Sequence, residues 1–141
     1  KLVASDIYEQ TLEVAKFNAA EHDIENVEFI LGSWLKPFGR QFFDVIASNP
    51  PYIDANDAHM KGLATEPERA LVSAKNGLAD IEEIIVQAKK HLTVNGWVVL
   101  EHGYDQADAV QHLFRQAGYK KVRTVKDYGG NDRVTLACWA Q

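Results

Sequence analysis

The chain has 141 residues, 46% hydrophobic and 25% charged, with a formal net charge of −5. A chain of this size folds as one domain with a core, hiding roughly 70% of the surface its unfolded state exposes. The acidic balance does not advertise a nucleic-acid or anionic-membrane surface. No apolar run approaches the ~20 residues of a membrane span, and no secretory signal is visible.

Cys138 is the single cysteine, so an internal disulfide and a cysteine zinc cluster are excluded and a cytoplasmic location is expected. The one methionine is Met60, and the sequence enters a strand pattern directly after Lys1. A piece of a longer chain is therefore expected.

Leu2 to Ser5 predicts a short buried strand. The stretch DIYEQTLEVAKFNAAEH then has helical periodicity, with Ile7, Thr11, Leu12, Ala15 and Ala19 on one face. Asp6 with Glu9 three residues on has the form of a helix start. Val27 to Leu31 and Phe42 to Ala47 predict two further strands, the second free of charge except for Asp44. Ile53 to Gly77 is a long irregular segment, and loops beyond ~15 residues in compact domains are usually functional or disordered. Asp80 to Leu92 predicts a second amphipathic helix burying Ile81, Ile84, Ile85, Ala88 and Leu92. Asn95-Gly96 predicts a turn into a strand from Trp97 to Glu101. Residues 105 to 117 predict a third helix, closed by Gly118 as its C-cap. KKVRTVKD and RVTLACWA predict a hairpin around Tyr128 to Asp132. Alternating strands and helices make the fold class α/β. The reading is a single domain over 1–141, mostly parallel, with a C-terminal antiparallel hairpin at its edge.

One corner stands apart. Asn49-Pro50-Pro51-Tyr52 ends an apolar strand with a rigid, donor-poor turn. In open α/β sheets ligands sit beyond the carboxyl ends of the strands. Pro51 holds Pro50 extended and has no N–H of its own. The Pro50 carbonyl and the Asn49 side-chain oxygen therefore offer two fixed acceptors, which match one planar NH2 group. Tyr52 supplies a flat wall with a hydroxyl at its rim. These residues also have the form of ordinary turn chemistry, since Asn before Pro is common in turns. Their place directly after an apolar strand favours a socket for an amide or base nitrogen.

NPPY after a hydrophobic strand resembles the S-adenosylmethionine-dependent amino-group methyltransferases. NPPYID followed by EPERALVSAKNGLADIEEIIVQA, LEHGYDQADAV and DYGGNDRVTLA resembles, more narrowly, the bacterial peptide-chain-release-factor glutamine N5-methyltransferases of the HemK/PrmC type. The likeness runs along nearly the whole chain. It implies a Rossmann-like class I methyltransferase sheet and S-adenosyl-L-methionine as cofactor. The implied substrate is the glutamine amide of the Gly-Gly-Gln motif of release factors. It further implies catalysis by Asn49 and Pro50, with Asn49, Pro50, Pro51 and Tyr52 binding the substrate. On the cofactor side it points to Asp6 for the ribose, Trp34 against the adenine, and Asn49 in contact with both substrates.

The sequence departs from that family in two ways. Ser33 stands where the family usually carries an acid. The family's glycine-rich G-x-G-x-G loop, borne on a central strand between those of residues 2–5 and 42–47, does not occur here. The isolated chain is accordingly expected to bind cofactor weakly or not at all, to be inactive alone, and to self-associate or rearrange to cover open sheet edges.

Alternatives remain open on the residues themselves. Asp6 also fits a helix N-cap, and Trp34 fits packing at a loop–core boundary. An adenine-N6 methyltransferase would use the same socket on a flipped base but calls for a basic channel, and Lys120-Lys121 is too small a patch for one. A non-catalytic interaction piece is the third reading. His22, His59, His91 and His112 lack ligand spacing with acids, so no metal site is expected. Glu101-His102 at a strand end and Arg133, which can pair with an acid at the hairpin, are more simply structural. For Glu66-Pro67 in the long loop, a solvated turn and the part in shaping the substrate entrance that the resemblance implies stand level.

Overall fold

A computed structural model describes residues 1–52 and 74–140. The predicted irregular segment lies mostly outside them, Glu66-Pro67 included. The described chain divides into two units, Lys1–Gln41 and Phe42–Gln141.

The first unit is a strand–helix–strand motif. Strand β1 (Leu2–Asp6), helix α1 (Glu9–Glu21) and strand β2 (Val27–Leu31) follow one another. The strands pair in parallel, from Leu2 opposite Val27 to Asp6 opposite Leu31. The predicted β1 is present but not buried: Leu2 is exposed and its other residues are half-buried. Among the described residues the pair is two strands wide, so each strand has one neighbour.

Helix α1 starts two residues later than the Asp6 reading implies. Its N-cap is Tyr8, without a side-chain cap bond, and Tyr8 N–H donates to Asp6 Oδ1 at 2.8 Å. Of the predicted face, Leu12 is buried and Ala15 and Ala19 are half-buried, while Ile7 and Thr11 are exposed. The helix ends in a Schellman cap, with Ile24 N–H on Ala19 O and Asp23 N–H on Ala20 O. Asp23 takes the left-handed conformation (φ 53°) usually given to glycine. The absence of glycine there is why the sequence carries no plain stop signal.

The second unit is a four-stranded sheet. It contains β3 (Phe43–Ser48), β4 (Leu92–Glu101), β5 (Lys120–Lys126) and β6 (Asp132–Trp139), in the order β3-β4-β6-β5. Helices α2 (Ala74–Gly77), α3 (Ala79–Ala88) and α4 (Ala107–Gln116) complete it. β3 and β4 are parallel; β6 runs antiparallel to β4 and to β5, which forms the edge. β3 forms the other edge. That position explains why Val45 and Ala47 are exposed and only Ile46 is buried, against the buried strand predicted there.

Two boundaries differ from the periodicity. α3 stops at Ala88, because Lys90 and His91 N–H tighten the last turn onto Gln87 and Ala88 carbonyls and Phe43 N–H takes the His91 carbonyl at 2.8 Å. Pairing with β3 thus draws Leu92, predicted as helix, into β4. Asn95-Gly96 is not a turn before a strand but an irregularity inside β4: between Phe43 and Val45 the partner jumps from Leu92 to Trp97. Asn95 has φ 63°, and a Cβ at Gly96 would lie 3.0 Å from the Thr93 carbonyl.

The core lies between α3, α4 and the sheet. Ile81, Ile84 and Ile85 of α3, Val110 and Phe114 of α4, Val98 and Leu100 of β4, and Ala137 and Cys138 of β6 are buried. α4 ends as predicted on Gly118 (φ 89°), with Tyr119 N–H on Phe114 O and Gly118 N–H on Arg115 O. Tyr119 packs edge-on to Phe114 at 5.2 Å and its hydroxyl donates to the Ile85 carbonyl at 3.0 Å. One residue thereby ties both helices. Removal of a fully buried ring leaves a void, so Phe114→Ala should lower stability by about 3–5 kcal/mol in urea unfolding.

Candidate active site

In the first unit the parallel strands bring their carboxyl ends side by side. Asp6 closes β1 opposite Leu31, and Gly32 N–H donates to the Asp6 carbonyl at 2.9 Å. Two residues on, Trp34 adopts φ 48°, and Ser5 Oγ donates to its carbonyl at 3.3 Å. Asp6 and Trp34, 28 positions apart in sequence, are thus drawn to one end of one strand pair, both half-buried. Asp6 Oδ1 is committed to Tyr8 N–H, which turns the carboxylate and leaves Oδ2 as the oxygen that can meet a hydroxyl. The N-cap reading of Asp6 does not hold, because the cap is Tyr8; Asp6 instead orders the helix entry through Tyr8 N–H, from the carboxyl end of β1.

In the second unit the corner follows β3 directly. Pro50 and Pro51 are buried, Tyr52 is half-buried and Asn49 is exposed. The two rings anchor the turn from below while the carboxamide stays at the surface. Because β3 and β4 are parallel, with Ser48 opposite Leu100, Glu101 to Gln106 lie beyond the same end of the sheet.

Gln106 meets the corner there. Its Nε2 donates to the Tyr52 carbonyl at 2.9 Å, and its Oε1 accepts from Gly103 N–H at 2.8 Å. Gly77 presses on the same carbonyl: a Cβ there would lie 1.9 Å from Tyr52 O, and the residue has φ 78°. Neither residue was singled out from sequence. The usable signal was Gln106 at the N-cap of α4, where Ser, Thr, Asp or Asn is the rule and where it makes no side-chain cap bond.

His102, read as structural, is fully buried in a directed chain of hydrogen bonds. The Gly103 carbonyl, 2.8 Å from Nδ1, can only accept, so Nδ1 carries the proton. In the neutral ring Nε2 accepts from Thr135 Oγ1 at 2.8 Å. Thr124 Oγ1 lies 2.7 Å from Thr135 Oγ1 and receives Gln111 Nε2–H at 2.8 Å, and Arg115 donates to Gln111 Oε1 at 2.6 Å. Every link has one donor and one acceptor when the imidazole is neutral. Desolvation pulls the His102 pKa below its usual 6.5, reinforced by the Arg133 charge and opposed chiefly by the Gly103 bond. Arg133 pairs with Asp127 at 3.3 Å and also donates to the His102 carbonyl at 3.3 Å. No cluster of three or more potential metal ligands occurs among the described residues, nor any helix long and apolar enough to cross a membrane.

A parallel strand–helix–strand unit with an acid at its first strand end, and a sheet ending in an Asn-Pro-Pro-Tyr corner and an antiparallel hairpin, are the architecture of a methyltransferase. Solved structures share that fold. A methyltransferase from Pyrococcus furiosus superposes with a TM-score of 0.76 at 21% identity, over 100% of this chain and 64% of that one. A release-factor-specific protein-(glutamine-N5) methyltransferase from Alicyclobacillus acidocaldarius gives 0.53 at 24% identity, over 99% of this chain and 80% of that one. The chain belongs to the methyltransferase-domain family, whose model matches residues 1–139. It is 48% identical over 141 residues to the release factor glutamine methyltransferase of Yersinia pestis, covering 99% of this chain and 51% of that protein. To the protein of the same name from Escherichia coli it is 40% identical, covering 100% and 52%. The chain spans about half the length of the curated relatives it matches.

The neutral His102 links this end of the sheet to pH. As pH falls, the unfolded chain takes up the imidazole proton before the folded chain does. The histidine's contribution is therefore fully present above about pH 6.5 and is lost as pH falls through the lower folded value. Urea unfolding from neutral to mildly acid pH should show stability declining across that window, and His102→Gln should flatten the decline.

Proposed function

We propose that this chain is part of the catalytic domain of a protein that methylates the side-chain amide nitrogen of glutamine in the Gly-Gly-Gln motif of peptide chain release factors. The observation that carries the reading is the corner: Asn49 stays exposed at the carboxyl end of β3 while Pro50 and Pro51 are locked in the protein. The 48% identity to a relative named for this activity supports the choice of substrate.

The residues divide the work by chemistry. A glutamine amide nitrogen is a poor nucleophile, because its lone pair is delocalised into the carbonyl. The Asn49 side-chain oxygen and the Pro50 carbonyl each accept one N–H and so aim the lone pair, while the Tyr52 ring bounds the plane of the amide. S-adenosyl-L-methionine supplies, when bound, a methyl group on a positively charged sulfur. Holding the nitrogen in line with that methyl is the main source of acceleration, and no strong base is required before transfer. The donor set on the cofactor side fits: Asp6 Oδ2 accepts a ribose hydroxyl, and the Trp34 indole offers a face for adenine. Asn49 contacts both partners, since the methyl and its target nitrogen must touch.

Turnover belongs to the native-length protein. These 141 residues contain no G-x-G-x-G loop, and among the described residues β1 and β3 each have a strand neighbour on one side only. The chain by itself therefore binds S-adenosylmethionine weakly and associates with itself through those edges. Calorimetry showing sub-micromolar cofactor affinity, or scattering from a strict monomer, would contradict this. For the main reading, the native-length protein should methylate a release factor and leave adenine in single-stranded DNA untouched. Asn49→Ala should lower that rate about 100-fold, the order of loss that misplaced reactants produce; an undiminished rate would make the corner merely structural.

A further inference from the structure

We propose that Gln106 is a positioning residue for the corner: its carboxamide clamps the Tyr52 carbonyl and so fixes the downstream end of the turn whose Asn49 side chain and Pro50 carbonyl are the amide-binding acceptors. This rests on the function proposed above and adds to it a residue outside the Asn-Pro-Pro-Tyr motif.

The argument starts from the missing donors. Pro50 and Pro51 have no N–H, so the turn cannot be fastened by backbone donors where it leaves β3. The next carbonyl, that of Tyr52, is held from two sides. Gln106 Nε2 donates to it at 2.9 Å, and the bare Cα of Gly77 closes on it, leaving no room for a Cβ. Gln106 is itself held at the other end, because Oε1 accepts Gly103 N–H at 2.8 Å and the Gln106 N–H donates to the Gly103 carbonyl at 3.0 Å. That same carbonyl receives the His102 ring, 2.8 Å away, whose other nitrogen is fixed by Thr135. A rigid polar chain therefore runs from the β5–β6 hairpin to the Tyr52 peptide. Reciprocal use of both carboxamide atoms also explains a residue poorly suited to capping at the N-cap of α4.

Gln106→Glu is the discriminating variant. It keeps the acceptor for Gly103 N–H and the shape, but turns a carboxylate oxygen toward the Tyr52 carbonyl. In the native-length protein kcat on a release factor should fall about 100-fold with the KM for S-adenosylmethionine unchanged. The deficit relative to the unsubstituted protein should narrow as pH falls and the introduced carboxyl regains a proton to donate. A role in stability alone would move neither the split between kcat and KM nor the pH profile. Gly77→Ala, which pushes the same carbonyl from the other side, should reproduce the kcat loss with Gln106 intact.

The clamp is also read without turnover. In ¹⁵N-labelled unsubstituted protein the Gln106 side-chain protons should exchange more slowly than those of exposed Asn and Gln. An inactive unsubstituted protein with protected Gln106 protons would overturn the proposed function and leave the clamp standing. Rapid exchange at Gln106, or a Gln106→Glu variant as fast as the unsubstituted protein at all pH values, would overturn the clamp.

Discussion

Two consecutive prolines at the end of a strand deprive the backbone of its donors at the point where the chain leaves the sheet. Whatever holds such a turn must act on its carbonyls or bury its rings. This molecule does both. Pro50 and Pro51 are sunk into the protein, and the Tyr52 carbonyl is gripped by Gln106 with Gly77 beneath it. The consequence is a stiff turn whose one exposed amide group, Asn49, sits where open α/β sheets place their ligands. The arrangement costs sequence freedom at distant positions: a glycine at 77 and a carboxamide at 106, neither of which touches the sequence motif by neighbourhood along the chain.

Behind that clamp lies the buried polar chain through His102. An unpaired buried polar group costs about 1–3 kcal/mol, so a chain of this kind is stabilising only when every link is matched. A carbonyl that can only accept stands at Nδ1, which places a proton there, and a neutral ring satisfies every further link through Thr135 and Thr124. Burial favours that neutral form, and the imidazole acts as a spacer between the hairpin and the loop after β4. The same burial that makes it a good strut removes it from proton chemistry near neutrality. A general-base role for the strand-end histidine is therefore a poor fit to its surroundings.

The first unit solves a similar problem at smaller scale. Asp6 is shared between the strand end and the helix entry through Tyr8 N–H, and Asp23 closes α1 in a conformation that ordinarily falls to glycine. Left-handed backbone at a non-glycine residue costs roughly 1–2 kcal/mol. Its two capping hydrogen bonds offset that cost by satisfying carbonyls that the helix end would otherwise leave open.

Much of this was legible along the chain. The β2 span, the cap of α4 at Gly118 and the hairpin follow from periodicity and turn chemistry, which neighbouring residues express among themselves. Other features were settled by pairing and packing. Leu92 left the helical pattern because Phe43 N–H claimed the preceding carbonyl. Asn95-Gly96 became an irregularity inside β4 rather than its start. β1 and β3 proved less buried than their apolar composition implied, because each has one strand neighbour among the described residues. The grip of Gln106 on Tyr52 spans 54 positions, and the contact of His102 with Thr135 spans 33. Local sequence determined most of the elements and the rigid, donor-poor form of the corner, because those depend on residues a few positions apart. Only the tertiary structure decided what holds the corner still, because a hydrogen bond between distant segments exists once the sheet has brought their ends together.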